Sequence, residues 1–320
     1  MSKPSQRPSL LTRRLSVAGS ASLTRSSSIP AETDDLNTLL YYSCNVGDAS
    51  AVATILDENP NLDTNAKRGR LGATPLFAAS LRGNTGSIEL LLAVQGTDVN
   101  LQRDDGTTPL IIAAQEGHYE AVKLLLQAPK IQINKAFRGR SPLFMASYKN
   151  HPKVVRHLVQ KGADCNQQEV DGELTPLMIA CSKGYDNVVD VLLSASTIDV
   201  NMCDAKGQTA LFIACLHGHS EVLQALSVQR DIQGNVTRSA DHSSPLQVAC
   251  MMSHSSDIIA TILATNGTDV HHVNDDGHTA IYYAEEGDVH DVVLMLSLLG
   301  GKSKRKREEE DDLCQVCVIQ

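Results

Sequence analysis

The last four residues of the sequence carry its most specific chemistry. Cys317 stands fourth from the end and is followed by two aliphatic residues and a glutamine, Val318-Ile319-Gln320. This is the C-a-a-X pattern, in which a transferase alkylates a cysteine thiolate at a free chain end, and a final glutamine favours farnesyl. We therefore expect a farnesyl group on Cys317 and attachment of the chain to a membrane.

A single isoprenoid holds a protein weakly at a membrane, so a second anchor is expected. Cys314 is one candidate, as a site of palmitoylation. The other candidate is a basic run, because basic side chains bind anionic lipid. Its members are Lys304, Arg305, Lys306 and Arg307. The acidic run 308–312 lies within about a Debye length and opposes this attraction, so we favour Cys314. The basic run also matches a nuclear import signal.

Residues 1–33 are rich in Ser, Arg and Pro and show no helical period, so we expect them to be disordered. Ser16 follows Arg13-Arg14-Leu15, a pattern typical of basophilic kinase sites. Ser28 lies in Arg25-Ser26-Ser27-Ser28-Ile29-Pro30, which matches the phosphoserine pattern that 14-3-3 proteins bind. Ser16 and Ser28 are therefore candidate phosphorylation sites, and a 14-3-3 protein is a candidate partner at Ser28. The alternative is a plain flexible tail.

Between the two tails the chain repeats one pattern, which is clearest in residues 104–134. Thr108 is placed to cap a helix and Pro109 to occupy its first position. Gly117 ends that helix, and apolar residues at helical spacing form a second helix over 121–126, followed by an extended segment. The pattern is therefore helix, turn, helix and finger.

The start of this pattern recurs at intervals of 33 to 35 residues. Its copies begin at Thr74, Thr108, Ser141, Thr175, Thr209, Ser244 and Thr279. A degenerate first copy begins at Thr38. Two short helices with one apolar face cannot bury that face alone, so such copies are stable only when they stack. We therefore predict eight stacked repeats.

The period, the T-P-L start, the small pair, the G-H turn and the closing V-N resemble the ankyrin repeat family over residues 36–300. The resemblance implies an all-α solenoid of about eight helix-turn-helix repeats with finger loops. We place the repeat domain at 34–300, with disordered tails at 1–33 and 301–320. Where the family has His after T-P-L, this chain has other residues, and apolar packing could replace the hydrogen bond: Phe77, Ile111, Phe144, Met178, Phe212, Gln247 and Tyr282.

Composition and motifs argue against several classes of function. The net charge is −9 and the repeats carry the acidic excess, so nucleic acid is not an expected partner. No motif points to catalysis, a metal or a cofactor, and we expect a non-enzymatic protein.

Four cysteines share one repeat position and are expected to be buried thiols: Cys44, Cys181, Cys215 and Cys250. No apolar run is long enough to span a bilayer, and no signal peptide is visible, which favours a cytosolic protein.

The resemblance implies that partners dock on the finger tips and on the ends of the first helix of each repeat. Read by register, the predicted contact residues are Arg70, Arg82, Phe137, Arg138, Arg140, Tyr148, Lys149 and Lys183. Aromatic residues and arginines dominate binding hot spots. This patch would suit an acidic peptide or a phosphopeptide. The alternative is that Phe137 and Tyr148 only pack locally.

Two parts of the repeat array depart from the pattern. Residues 227–239 lack the closing G-A-D-V-N sequence, so we expect an irregular finger there. In the eighth repeat, acidic residues stand where a neighbour would otherwise dock, as in a C-terminal cap: Glu285, Glu286, Asp288 and Asp291.

These observations predict an interaction scaffold held at a cytosolic membrane surface by a farnesyl group on Cys317. Two alternatives remain open. The chain could be a nuclear regulator, similar to the ankyrin inhibitors of transcription factors, with 304–307 as its import signal. It could also be a bacterial effector that host enzymes lipidate.

Overall fold

The computed structural model describes residues 35–302, and their regular structure is α-helical. Two isolated antiparallel bridges, Arg68 with Ala73 and Phe137 with Arg140, are the only extended pairings within this range. The range divides into two compact units, residues 35–132 and 133–302. The predicted all-α repeat architecture is confirmed in each.

The first unit contains three helix pairs. They are α1 Leu36–Val46 with α2 Ala49–Glu58, α3 Pro75–Arg82 with α4 Thr85–Ala93, and α5 Pro109–Gln115 with α6 Tyr119–Leu125. The first helix of each pair packs on the first helix of the next, and the second helices do the same. The one-sided apolar faces are thus buried between successive repeats.

The second unit contains five helix pairs, stacked in the same way. They are α7 Pro142–Tyr148 with α8 Pro152–Gln160, α9 Pro176–Lys183 with α10 Asp186–Leu193, α11 Ala210–His217 with α12 Ser220–Ser227, α13 Pro245–Met251 with α14 Ser256–Leu263, and α15 Ala280–Glu286 with α16 His290–Leu298. We call the first helix of a pair the inner helix and the second the outer helix.

Each inner helix from the second to the seventh repeat begins at a hydroxyl cap. The Thr108 side chain accepts the Ile111 N–H at 3.2 Å, and Thr175 accepts the Met178 N–H at 3.2 Å. The eighth repeat differs, because Thr279 makes no such bond; its hydroxyl donates to the Lys302 carbonyl at 3.0 Å. The predicted caps are confirmed from the second to the seventh repeat. The predicted start of the first repeat at Thr38 is wrong, because its inner helix begins at Leu36 and the Asp35 side chain caps it by accepting the Asn37 N–H at 3.1 Å.

Apolar packing does replace the family histidine after T-P-L in most repeats. Phe77, Met178 and Phe212 are fully buried at that position. Gln247 instead restores a polar link, because its side-chain amide donates to the carbonyls of His272 at 3.1 Å and His278 at 2.7 Å.

The turn histidines form hydrogen bonds between successive repeats. The Nε2 atoms of His118, His219 and His254 donate to carbonyls of the preceding inner helix, at 3.1, 3.3 and 2.8 Å. At these three junctions the turn histidine therefore joins one repeat to the next.

Asparagine side chains join consecutive fingers. In the second unit, the Asn201 amide donates to the Asp231 carbonyl at 2.6 Å and accepts the Gln233 N–H at 2.9 Å. Asn235 stands at the next equivalent position, but its buried Oδ1 has no hydrogen-bond partner. The finger that we expected to be irregular thus lacks the clamp that the preceding finger has.

The four cysteines at the shared repeat position are buried, as predicted. The predictions at Ser16, Ser28, Cys314, Cys317 and the basic run 304–307 lie outside the described residues. Among the helices of residues 35–302, none has the length and hydropathy needed to cross a bilayer.

Candidate functional site

The predicted contact residues of the first unit lie at two kinds of position in the second repeat. Arg70 is exposed on the finger, between the partners of the Arg68–Ala73 bridge. Arg82 is exposed at the end of α3, and its Nε donates to the Asn45 side chain at 3.4 Å. The structure shows no contact that joins these two arginines.

The finger of the fourth repeat pairs its arginines with acids. Arg138 and Arg140 both form ion pairs with Asp171, the second at 3.1 Å, and Arg140 also lies 3.8 Å from buried Glu169. Glu169 is held by its own turn, since its carboxylate accepts the Asp171 N–H at 3.0 Å. The positive charge of this finger is therefore largely neutralised, while Phe137 beside it is exposed.

The inner-helix ends of the fourth and fifth repeats form a different cluster. The ammonium groups of Lys149 and Lys183 lie 5.4 and 5.7 Å from the ring centroid of Tyr148. Both distances are within the range of a cation–π contact. The Tyr148 side chain is 38% exposed. Within residues 35–302, neither ammonium has a carboxylate within ion-pair distance.

His217 occupies the equivalent helix-end position in the sixth repeat, and the sequence analysis did not identify it. It stands eight residues after Thr209, as Lys149 and Lys183 stand eight after Ser141 and Thr175. Partial burial lowers the pKa of the His217 imidazole, and His219, Lys183 and His254 lower it further. Its position in the repeat register was the signal that could have found it. We call Tyr148, Lys149, Lys183 and His217 the helix-end row.

The last repeat presents a surface of the opposite character. Its acidic residues are exposed, as the sequence predicted. Beside them, Leu294 is 62% and Leu298 79% exposed, and Leu299 is exposed as well. A groove of about 330 Å³ lies there, and its lining is Glu285, Asp288, His290, Val293, Leu294 and Ser297. We call the three leucines and the four acidic residues of this repeat the cap face.

The buried thiols are unsuited to nucleophilic chemistry. Burial raises the pKa of Cys44 and of Cys250 to about 12, so both stay protonated at neutral pH. Within the part of the chain that the structure describes, no group of three His, Cys, Asp or Glu side chains could hold a metal ion. What the exposed side chains offer is noncovalent binding through charge, an aromatic ring and leucines.

Comparison with known proteins agrees with this repeat architecture. The family model described as "Ankyrin repeats (3 copies)" matches residues 77–169 and 168–238, together about half of the chain. Alpha-latroinsectotoxin-Lt1a of Latrodectus tredecimguttatus is 33% identical over 150 residues, which cover 46% of this chain and 10% of the toxin.

Two further relatives are a cation channel and a ubiquitin ligase. The human transient receptor potential cation channel subfamily A member 1 is 34% identical over 125 residues, covering 38% of this chain and 11% of the channel. The E3 ubiquitin-protein ligase XBAT33 of Arabidopsis thaliana is 36% identical over 118 residues, covering 36% of this chain and 23% of the ligase.

The matched region spans less than a quarter of the length of each of these relatives. The chain belongs to the ankyrin repeat family, and its repeats form a scaffold for protein–protein interaction.

Proposed function

We propose that this chain is an adaptor that binds an acidic protein segment at the helix-end row and is held at a cytosolic membrane surface by its C-terminal end. The observation that carries the first part is the pair of lysines around an exposed tyrosine. Lys149 and Lys183 come from consecutive repeats, and their ammonium groups flank one ring without a carboxylate partner in the described chain.

An acidic segment suits this site for three reasons. Two unpaired ammonium groups can each receive a carboxylate or phosphate oxygen. The exposed Tyr148 ring provides the kind of aromatic contact that anchors many interfaces. The whole chain is acidic, with a net charge of −9, so a local cationic site would attract an anionic partner while the acidic remainder of the surface repels it, which orients the partner. Arg138 and Arg140, which already pair with Asp171, would lie at the rim.

The test of this site is charge reversal in the full chain. Lys149→Glu with Lys183→Glu should weaken binding of a fluorescein-labelled peptide rich in Glu and Asp at least tenfold, measured by anisotropy. Lys153→Glu, which reverses an exposed lysine on the outer helix α8, is the matched control and should leave binding unchanged. Equal affinities for the wild type and the double variant would remove the helix-end row from the proposal.

The membrane anchor is supported by the pattern Cys317-Val318-Ile319-Gln320. It requires Gln320 to be the last residue of the protein, because the transferase acts on a free chain end. Cys317→Ser should move the protein from the membrane to the soluble fraction, and Cys314→Ser should weaken its retention. Intact mass of protein made in a eukaryotic host should show the added farnesyl. Equal membrane recovery of wild type and Cys317→Ser would contradict the anchor.

The basic run decides between membrane tethering and the nuclear alternative. Changing Lys304, Arg305, Lys306 and Arg307 to Ala should reduce membrane signal in imaging if the run supports the lipid. Loss of nuclear signal instead would favour a nuclear regulator.

Phosphorylation of Ser28 is proposed to recruit a 14-3-3 protein. The support is the match of residues 25–30 to the phosphoserine pattern. A phosphorylated chain should bind 14-3-3 in calorimetry, and Ser28→Ala treated with the same kinase should not. Binding that persists in Ser28→Ala would assign recruitment to another site.

A further inference from the structure

At one exposed position of the outer helix, the eighth repeat differs from the second to sixth repeats. It lies fifteen residues after the Thr or Ser that starts each repeat. In the second to sixth repeats its occupants are polar and exposed: Glu89, Lys123, Arg156, Asp190 and Gln224. In the eighth repeat the occupant is Leu294, which is just as exposed. Because the repeats share one backbone, Leu294 is not needed to build the helix pair.

Leu294 belongs to a larger apolar surface. Leu298 stands one turn further along α16, on the same side of the helix, and Leu299 follows it. The core of this helix is formed by other residues, since Val292 and Leu296 are fully buried. A cluster of exposed leucines on a terminal repeat is typical of a binding surface rather than a polar cap.

We propose that the cap face is covered by residues 303–320 of the same chain. Lys302 is held at the start of α15, where its carbonyl accepts the Thr279 hydroxyl at 3.0 Å. The segment therefore begins on the repeat that carries the leucines. The nine residues of α16 are about 13 Å long, whereas the ten residues 303–312 can extend over roughly 33 to 36 Å. The segment can reach either end of the helix.

The segment and the cap face have complementary chemistry. Its basic run 304–307 matches the exposed acids Glu285, Glu286, Asp288 and Asp291. Its last part contains four aliphatic residues that match the exposed leucines: Leu313, Val316, Val318 and Ile319. The acidic run 308–312 follows directly and opposes this attraction, so the contact of the aliphatic residues with the leucines holds the segment on the cap face. Tethering favours this occupant over a free partner, since a short flexible linker gives an effective concentration in the millimolar range.

This inference goes beyond the proposed function and holds with or without a lipid on Cys317. Its consequence is a regulated end of the molecule, because a docked segment keeps its basic run and its terminal cysteine on the protein. A membrane or a receptor must then compete with the cap face for them.

Limited trypsin digestion of the unlipidated full chain tests the docking. Cleavage within 304–307 is measured by mass spectrometry relative to cleavage after Arg25, which serves as an internal reference in the same molecule. Leu294→Asp with Leu298→Gln should raise this ratio about fivefold or more. Both replacements are residues that other repeats carry at these positions, Asp190 and Gln160, so the fold should persist and circular dichroism should not change.

The matched control is Val228→Gln. Val228 occupies the register position of Leu298 in the sixth repeat and is 75% exposed. This variant should keep the wild-type ratio.

Two outcomes would overturn the proposal. One is an equal cleavage ratio in the wild type and the leucine variant, which would mean that the segment does not use the cap face. The other is a wild-type mass twice that of the leucine variant in light scattering, which would assign the leucines to a second copy of the chain. A monomeric wild type with a protected basic run supports docking within one chain.

Discussion

The fifth and eighth repeats share a core and differ at the surface. Val188 and Leu192 of the fifth repeat correspond to Val292 and Leu296 of the eighth, and all four are fully buried. On the surface, the fifth repeat presents Lys183 at the end of its inner helix, and the eighth presents acidic residues there. One backbone thus carries a cationic site in one repeat and an acidic, leucine-rich face in another.

This comparison shows where function can be found in a repeat protein. Residues that the stacking requires recur at the same register position in nearly every repeat. A residue that breaks the register at an exposed position, such as Leu294, is free of that requirement. Departures at exposed positions are therefore the candidates for specific binding, because fold and packing do not explain them.

Truncation of the shared core should give the largest effect. Leu192→Ala should destabilise the protein by about 4 kcal/mol and Leu296→Ala by about 2 to 3 kcal/mol, within the usual range for buried leucines. The difference arises because α10 packs on outer helices on both sides, α8 and α12, and α16 packs on α14 alone among the outer helices described. Urea unfolding followed by circular dichroism measures both. A larger loss for Leu296→Ala would contradict this ranking.

Removing the hydroxyl at a helix start should give the second-largest loss of stability. Thr175→Ala removes the hydroxyl that accepts the Met178 N–H and should cost about 1 kcal/mol. Thr279→Ala removes no cap bond and should cost less than about 0.5 kcal/mol, although it releases the Lys302 carbonyl. The same urea experiment compares them. Equal losses would show that the Thr279 hydroxyl supports its helix in solution.

Exchanging the exposed residues of the two outer helices should change stability little. Asp190→Leu and Leu294→Asp should each stay within about 0.5 kcal/mol of the wild type, because neither side chain packs in the core of its helix pair. Thermal unfolding of the two variants provides the measurement. A loss of more than 1 kcal/mol on Leu294→Asp without increased trypsin cleavage within 304–307 would mean that this leucine belongs to the core, and the docking proposal would lose its basis.

The smallest expected effect is electrostatic. His217 should titrate with a pKa below the ordinary 6.5, and Lys183→Gln should raise that pKa because it removes a nearby positive charge. The pKa should nevertheless stay below 6.5, since partial burial is the largest cause. An acidic peptide bound at the helix-end row should raise it as well. NMR titration of the imidazole follows these changes, and a pKa that neither change moves would place His217 outside the row.

The lowered pKa of His217 makes the stability of the folded protein depend on pH. The folded protein favours the neutral imidazole of His217 more than the unfolded chain does. Its contribution to stability is therefore present above pH 6.5 and is lost as the pH falls below that value. In His217→Gln this component of the pH profile should disappear.

Much of the local structure could be predicted from single residues. Thr108 and Pro109 mark a helix start in any context, because a hydroxyl cap and a missing N–H act within one turn. The shared position of Cys181 and Cys215 predicted buried thiols in the same way. The leucines of the last repeat were missed because an apolar residue on a short helix looks like core until its neighbours are known.

What the sequence by itself determined was the repeat: its period, its helix starts, its turns and the residues that face the core. These follow from interactions between residues a few positions apart. Only the tertiary structure decided which charged side chains of the surface have partners. Arg138 and Arg140 both form ion pairs with Asp171, and Tyr148 contacts Lys183 of the next repeat. Those contacts join residues 31 to 35 positions apart, and the stacking of one repeat on the next sets their distances.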